Sequence, residues 1–490
     1  MKHLLFLVFL VSTFFGCSET IEPAEPVPTT PQLAWHEVEM YGLVCFNLVT
    51  FEDKEWGYGD TDPAIFNPTE FSADQIVNTA REGGLKGIIL VCKHHEGFCL
   101  WPTKTTDYNI TRSPWKNGQG DMVKDFQMAC EKAGMKFGVY LSPWDRNSSV
   151  YGQAGYIPIY YEQLRELLTG YGELFEVWFD GANGGDGWYG GADTIRNIDR
   201  FSYYGWDSIY SIVRELQPNA VIFSDMGDVR WVGNEEGFAG ETSWCMYTPK
   251  GRDDESKPAP GFTKYWEATE GHEDGKFWMP SECDFSIRPG WYYHEDQNHA
   301  VKSSEVLFDH YLKTVGRNAS FNLGLPPDTR GIMHENDAES LKGFKQILDQ
   351  AFLINLAFHQ KIKTDASSFR NREKKIVDGN PKTYWALPEN MTRAEIIIQL
   401  NEIQEVNAIL LQEYIGLGQR IKSFYVEVKR ADEFVVVGEA TTIGYKRILT
   451  FDTILTDEIK VTIVDSRTAP VISEIQLYRI PDRPGSPGAI

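Results

Sequence analysis

The chain has 490 residues, 42% of them hydrophobic, enough to bury one large core and a second smaller one. Its formal charge of −23 comes without any Lys/Arg stripe, which argues against nucleic acid as a partner, because phosphate recognition needs concentrated positive charge. Aromatic residues make up 13% of the chain, with 14 Trp, a level that suits a big core and sugar stacking alike.

The chain opens with "MKHLLFLVFLVSTFFGCSET", a Lys/His start, an apolar stretch from Leu4 to Phe15, and Gly16 before Cys17. This reads as an export signal over residues 1–17, not a spanning helix. The Gly16-Cys17 step resembles a bacterial lipoprotein cleavage site, with Cys17 lipidated, although Phe14-Phe15 departs from the usual pattern. Export to the periplasm or cell surface follows, with the membrane touched only through that anchor. The next run, "SETIEPAEPVPTTPQ", is rich in Pro and Glu and predicts an extended, unpacked tether over 18–35. Six further cysteines (Cys45, Cys92, Cys99, Cys130, Cys245, Cys283) are scattered without a CxxC spacing and are expected as buried thiols, not disulfides or zinc ligands.

From residue 36 to 358, β-branched or apolar runs alternate with helical stretches. The strand candidates are "GLVCFNLVTF", "GIILVC", "KFGVYLSP", "LFEVWFDG", "NAVIFSD" and "NASFNLGL". Between them lie amphipathic segments such as "FSADQIVNTAREGG" and "DMVKDFQMACEKAG", each closing on a glycine. Apolar strands alternating with helices predict the α/β class, as a closed (β/α)8-like TIM barrel. No G-x-G-x-x-G opens a helix, and the glycines of "VWFDGANGGDGWYGG" run on into a loop, which counts against a nucleotide fold. In such a barrel the chemistry collects at the C-terminal ends of the strands. His94 and His95, Trp144 and Asp145, Asp180, and Arg230 and Glu235 all fall at such ends.

The runs "FEDKEWGYGD", "LVCKHHEGFCLWPTKTTDYN", "GVYLSPWDRN", "VWFDGA", "DVRWVGNEEG", "DFSIRPGWYYH" and "NLGLPPDTRG" resemble, in order, the blocks of α-L-fucosidases of glycoside hydrolase family 29. The "SPWDRN" and "RWVGNE" blocks look like the branch acting on α-1,3/1,4-linked fucose. The resemblance implies retaining hydrolysis without a cofactor, on fucosylated glycans. Asp180 would be the nucleophile, and Glu235 the acid and then the base, with the two carboxyls about 5–5.5 Å apart. Arg230 would keep Asp180 ionised while a drier setting keeps Glu235 protonated. Taken alone, Asp180 reads equally as a turn cap and Glu235 as a solvated loop residue, and Glu236 and Glu241 are rivals for the acid. His94, His95, Glu55, Trp56, Tyr140 and Trp178 match positions that grip the fucose, though Trp56 and Trp178 serve a core equally well. Trp144, Asp145 and Trp291 are assigned to the next sugars. Where family members commonly carry a His in the first strand, this chain has Cys45, and Asn47 is the residue expected to take over part of that contact.

From about residue 359 to 480 the pattern changes to short alternating strands without helices, which predicts a β-sandwich. Its entry "TDASSFRNREKKIVDGNPKTYWAL" and its close "VISEIQLY" resemble discoidin-like, coagulation-factor type C domains. That resemblance implies a structural calcium near Asp378, Thr383 and Glu474. A domain that packs on the barrel without metal is the plain alternative. Residues 481–490 read as a frayed tail. Three functions remain open at this stage: an exo-α-L-fucosidase, a two-carboxylate glycosidase for another sugar, and a catalytically silent glycan-binding lipoprotein.

Overall fold

The computed structural model describes residues 21–253, 256–366 and 372–481. The export signal, Cys17 and residues 482–490 of the tail lie outside these. Among the described residues no helix is long and apolar enough to cross a membrane.

The run expected as an unpacked tether is folded over its described part, from Ile21 to Trp35. Ile21 is buried against Ala386 and Val471, Ala24 N–H donates to Leu417 O, and the Arg420 guanidinium donates to Glu22 O. Helix α1 (Thr30–Val38) follows, held by a capping box in which Thr29 and Gln32 satisfy each other's backbone amides. It presents Trp35 to the barrel, and Trp35 Nε1 donates to Glu176 Oε2 at 3.0 Å.

Eight parallel strands follow: β1 (Met40–Val44), β2 (Gly87–Lys93), β3 (Lys136–Leu141), β4 (Glu176–Trp178), β5 (Val221–Phe223), β6 (Arg230–Trp231), β7 (Ser281–Ser286) and β8 (Ser320–Leu325). They hydrogen-bond in the order β5-β4-β3-β2-β1-β8-β7-β6, and backbone bonds between Ile222, Ser224 and Val229 draw the two edges together. The sheet is a nearly closed barrel. Its first strand is shorter than predicted, because Asn47 caps a new helix, α2 (Leu48–Glu52), where the apolar run was read as continuing strand. The outer layer contains α3 (Ala73–Glu82), α4 (Met122–Ala133), α5 (Tyr156–Gly170), α6 (Trp206–Leu216), α7 (Tyr265–Ala268), α8 (Ser304–Lys313) and α9 (Glu335–Ala351). Helix α4 stops at Gly134, whose φ of 68° suits glycine, and the Gly134 amide closes the last turn.

Arg288, just beyond β7, meets Asp337 in the first turn of α9 with both side chains fully buried and an Nη2–Oδ2 distance of 2.6 Å. Removing one member strands the other's charge in the core, so Asp337→Ala is expected to lower unfolding free energy by about 3–5 kcal/mol. Urea denaturation at neutral pH measures it.

The C-terminal domain is an antiparallel sheet of β9 (Lys361–Thr364), β10 (Trp385–Ala386), β11 (Ala394–Glu413), β12 (Ile421–Arg430), β13 (Glu433–Thr441), β14 (Arg447–Ser466) and β15 (Val471–Tyr478). Two pairs of runs read as separate strands fuse into β11 and β14, with register shifts between Gln399 and Gln404 and between Val406 and Ala408. Inward residues of the sheet, including Ile396, Ile409, Val426, Val461 and Ile475, share one core. The domain grips the barrel through Gln419, which bonds Ser243 O and Cys245 N, and through Tyr445 N–H to Asn318 Oδ1. Arg447 donates to Glu241 O. The six cysteines are free and buried, as expected.

Candidate active site

Alternation along β4 sets the site. Glu176, Trp178 and Asp180 point successively inward, so the carboxylate stands at the barrel mouth one step above an indole. Asp180 Oδ2 accepts from Tyr140 OH at 2.9 Å, and Oδ1 accepts from Ala182 N–H at 2.6 Å. Glu235 comes from beyond β5, at the exposed tip of the loop after β6. Gly233 and Gly237 bracket that tip with φ of 91° and 70°. A Cβ on Gly233 would collide with Tyr265 O, so the turn needs glycine there.

Two adjoining cavities meet at these carboxylates. The first, about 500 Å³, is walled by His94, His95, Tyr140, Trp291 and Tyr292, with Cys45 deeper and Glu55 and Trp56 at the rim. The second, about 310 Å³, is walled by Asp225, Trp231, Pro260, Gly261 and Tyr265. Trp178, Asp180, Ala182, Glu235 and Asp284 belong to both.

Inside the first cavity the polar atoms are oriented by their backing. His95 Nδ1 lies 2.7 Å from Ser142 Oγ, whose own proton goes to Trp144 O. The ring therefore carries its proton on Nδ1 and presents Nε2 as an acceptor, 3.9 Å from Asp180 Oδ2. Burial, reinforced by His94, Arg146 and Lys93, holds this imidazole well below its ordinary value and keeps it neutral. His94 packs beside it, with ring centroids 4.0 Å apart and Nδ1 3.5 Å from Glu96 Oε2. Trp178 is stacked between Tyr140 and Phe223, at 5.0 and 4.0 Å. It is buried and lines the cavity too, so the two roles left open for it coincide. Trp56 is half exposed and packs edge-on against His95.

Glu55 accepts from Trp291 and Tyr292 N–H and from His294 Nε2 at 2.8 Å, so it also ties the strap 289–294 across the cavity. Burial works to lower the His294 imidazole, but hydrogen bonds to Asp53 and Glu55 outweigh it and leave it above its ordinary value. A raised imidazole stabilises the fold fully below the unfolded value of about 6.5, and that contribution is lost as pH rises through the folded one. The thermal midpoint of wild type minus His294→Gln should therefore shrink on going from acid to alkaline pH.

Four expectations are corrected. Arg230 points away from Asp180: fully buried, it donates to the carbonyls of Ala268, Trp244 and Met279 and fastens the barrel wall. Asp145 is buried and spent on Asn147 N–H, Ser148 N–H and the Lys93 ammonium at 3.5 Å, so it shapes its loop. Trp144 lies behind His95, bonded to Tyr189 OH, and lines neither cavity. Asn47 faces inward as the α2 cap and donates to Tyr292 OH, leaving Cys45 without a substitute for the family imidazole. The Cys45 thiol is pushed well up by burial, then by Glu55 and Asp284, and stays protonated.

Of the rival acids, Glu241 is taken by Arg317 and Arg447, and Glu236 lines neither cavity. Asp284, which the sequence pattern does not single out, faces the same mouth from within β7, two residues beyond Glu282. It is buried and accepts from Trp231 Nε1 at 2.6 Å. Burial and the Glu282 charge hold its carboxyl well above the usual carboxylate range. In the C-terminal domain Asp378, Thr383 and Glu474 do converge, but through hydrogen bonds. Thr383 Oγ1 and Asn380 N–H donate to Asp378, Asn380 N–H reaches Glu474 Oε1, and the Lys375 ammonium lies 3.0 Å from Asp378 Oδ2. A lysine in that place repels a cation, so this cluster does not fit the expected calcium. Among the described residues no group of three or more His, Cys, Asp or Glu is arranged to hold a metal.

Residues 26–350 match the family model for α-L-fucosidase, and residues 361–475 that for the F5/8 type C domain. The chain is 38% identical to alpha-L-fucosidase 1 of Arabidopsis thaliana over 467 residues, covering 93% of this chain and 88% of that protein. A glycoside hydrolase 29 member from an unknown rumen bacterium shares its fold with a TM-score of 0.83 and 40% identity, over 95% of this chain and 80% of the other. A Ruminococcus gnavus fucosidase of the same family, solved in complex with fucose, superposes with a TM-score of 0.83 at 28% identity, over 96% and 98%. With a catalytic barrel, a type C module and relatives alike along nearly the whole chain, this protein belongs to the α-L-fucosidases of glycoside hydrolase family 29.

Proposed function

We propose that the cleft is the active site of a retaining exo-α-L-fucosidase acting on α-1,3/1,4-linked terminal fucose. One observation carries the reading: Asp180 and Glu235, delivered by strands on either side of β5, line both cavities at their junction. The first cavity takes one sugar against His94, His95 and Trp178, and the second takes what leaves. Asp180, held by Tyr140 OH and Ala182 N–H, attacks the anomeric carbon. Glu235 protonates the departing oxygen and then draws the proton from the water that releases fucose. Each displacement inverts the centre, so the net result is retention. No cofactor takes part.

The test is NMR of the first-formed product from an aryl α-L-fucoside. An α anomer supports the reading, and a β anomer overturns it. Comparing aryl galactoside and Lewis-type trisaccharides tests sugar and linkage. The neutral Asp284 is the remaining competitor for Glu235. Asp284→Asn is expected to lower kcat/KM by less than about tenfold, equally for aryl fucoside and trisaccharide, since acid catalysis alone scales with leaving group. We infer also that the chain is exported and anchored by lipid at Cys17. Labelling with a fatty-acid analogue, lost in Cys17→Ser, tests it.

A further inference from the structure

Beneath the sugar pocket, the barrel axis holds two carboxyl groups that no step of the reaction uses. Glu176 opens β4, Glu282 lies on β7, and both are fully buried. Glu282 Oε1 accepts from Trp178 Nε1 at 2.8 Å and from Asn322 Nδ2 at 2.8 Å, while Tyr41 OH donates to Oε2. Glu176 Oε2 accepts from Trp35 Nε1. Glu176 Oε1 is left without a partner, and the two buried carboxyls lie close enough to act directly on each other. Two carboxyls buried that close cannot both ionise, so the pair keeps one proton. Three donors on Glu282 favour the charge there and leave the proton on Glu176. Burial and the Glu282 charge accordingly hold the Glu176 carboxyl well above the usual range.

We propose that Glu176 and Glu282 form a single-proton anchor, and that Glu282 is a positioning residue fixing the Trp178 indole as the floor of the fucose pocket beneath Asp180. Stacking between Tyr140 and Phe223 fixes the plane of that ring but not its rotation within the plane. The bond from Nε1 to Glu282 supplies what stacking leaves undefined, because a flipped indole would bury its N–H without an acceptor. Glu176, by keeping the proton, leaves on Glu282 the charge that accepts this bond. The other titratable groups acting on the pair are Tyr41 from β1, Asp284 two residues further along β7, and Asp228 from the β5–β6 turn.

This rests on the reading of the cleft as a fucosidase site, so the experiment has an arm that needs no turnover. Glu176 binds a proton in the folded chain at pH values where the unfolded chain has lost it, and wild type therefore loses stability as pH rises through that window. Glu176→Gln replaces the O–H by an N–H and removes the loss. Its thermal midpoint should fall less steeply than that of wild type between about pH 5 and 9. Parallel profiles would overturn the shared proton. In the second arm Glu282→Gln, which withdraws the charge from the Trp178 N–H, should raise KM for an aryl α-L-fucoside and Ki for free L-fucose together by at least tenfold, with a shift in tryptophan emission. A variant with unchanged KM and Ki and only less folded enzyme would reduce Glu282 to a structural residue and overturn the positioning role. Should wild type fail to cleave the fucoside, the functional reading falls while the first arm still decides the pair.

Discussion

Asp180→Ala is expected to lower kcat/KM by at least about 10⁴-fold on every fucoside, with the protein folded and still able to bind L-fucose. The carboxylate is the group that would form the covalent bond, and neither side chain that faces its Oδ2 substitutes. His95 offers only a neutral nitrogen, and Tyr140 OH, a donor to Asp180, is pushed far up by burial and by that same charge. Losing Oδ1 and Oδ2 leaves two donors, Tyr140 OH and Ala182 N–H, at a mouth where water replaces the lost acceptor. Stability should therefore change little. Residual turnover above about a hundredth of wild type, in enzyme purified free of contaminating fucosidase, would show the nucleophile to be elsewhere.

Glu235→Ala should give a different signature. Cleavage of a trisaccharide, whose leaving alcohol must be protonated, is expected to drop by about 10³-fold, while an aryl fucoside with an acidic phenol keeps its first step. The second step then loses its base, so a burst of phenol followed by slow turnover is expected, and added azide, which needs no base, should restore the rate. An equal loss on both substrates, without burst or azide effect, would point to Asp284 or to a purely structural role for the loop.

Much of this arrangement was legible because the barrel repeats a simple rule. Apolar runs ending in polar residues located His94, His95, Asp180 and Glu235, and the block resemblance set their order. What could not be read was direction. Arg230 precedes Trp231 on β6, and one step of alternation turns it out of the barrel into a ring of backbone carbonyls. Asp145 and Asn47 also sit at strand ends, but loop amides at 2.8–3.1 Å claim their side chains first. The run expected as a tether folds for a similarly local reason. Its Pro and Glu content concealed Thr29 and Gln32 at capping-box spacing, a local signal that starts α1 and brings Trp35 to the barrel. The calcium expectation meets a lysine, Lys375, whose placement beside Asp378 the strand pattern does not reveal.

The grip of the C-terminal domain reaches further than its distance from the pocket suggests. Glu241, Ser243 and Cys245, which it holds through Arg447 and Gln419, begin only six residues beyond Glu235, on the same stretch of chain. The module is thus a splint for the stretch of chain that carries the proposed acid. Cutting it away would not yield a smaller enzyme with the same working parts, and grafting it onto another barrel would help only if those barrel-side partners travelled with it.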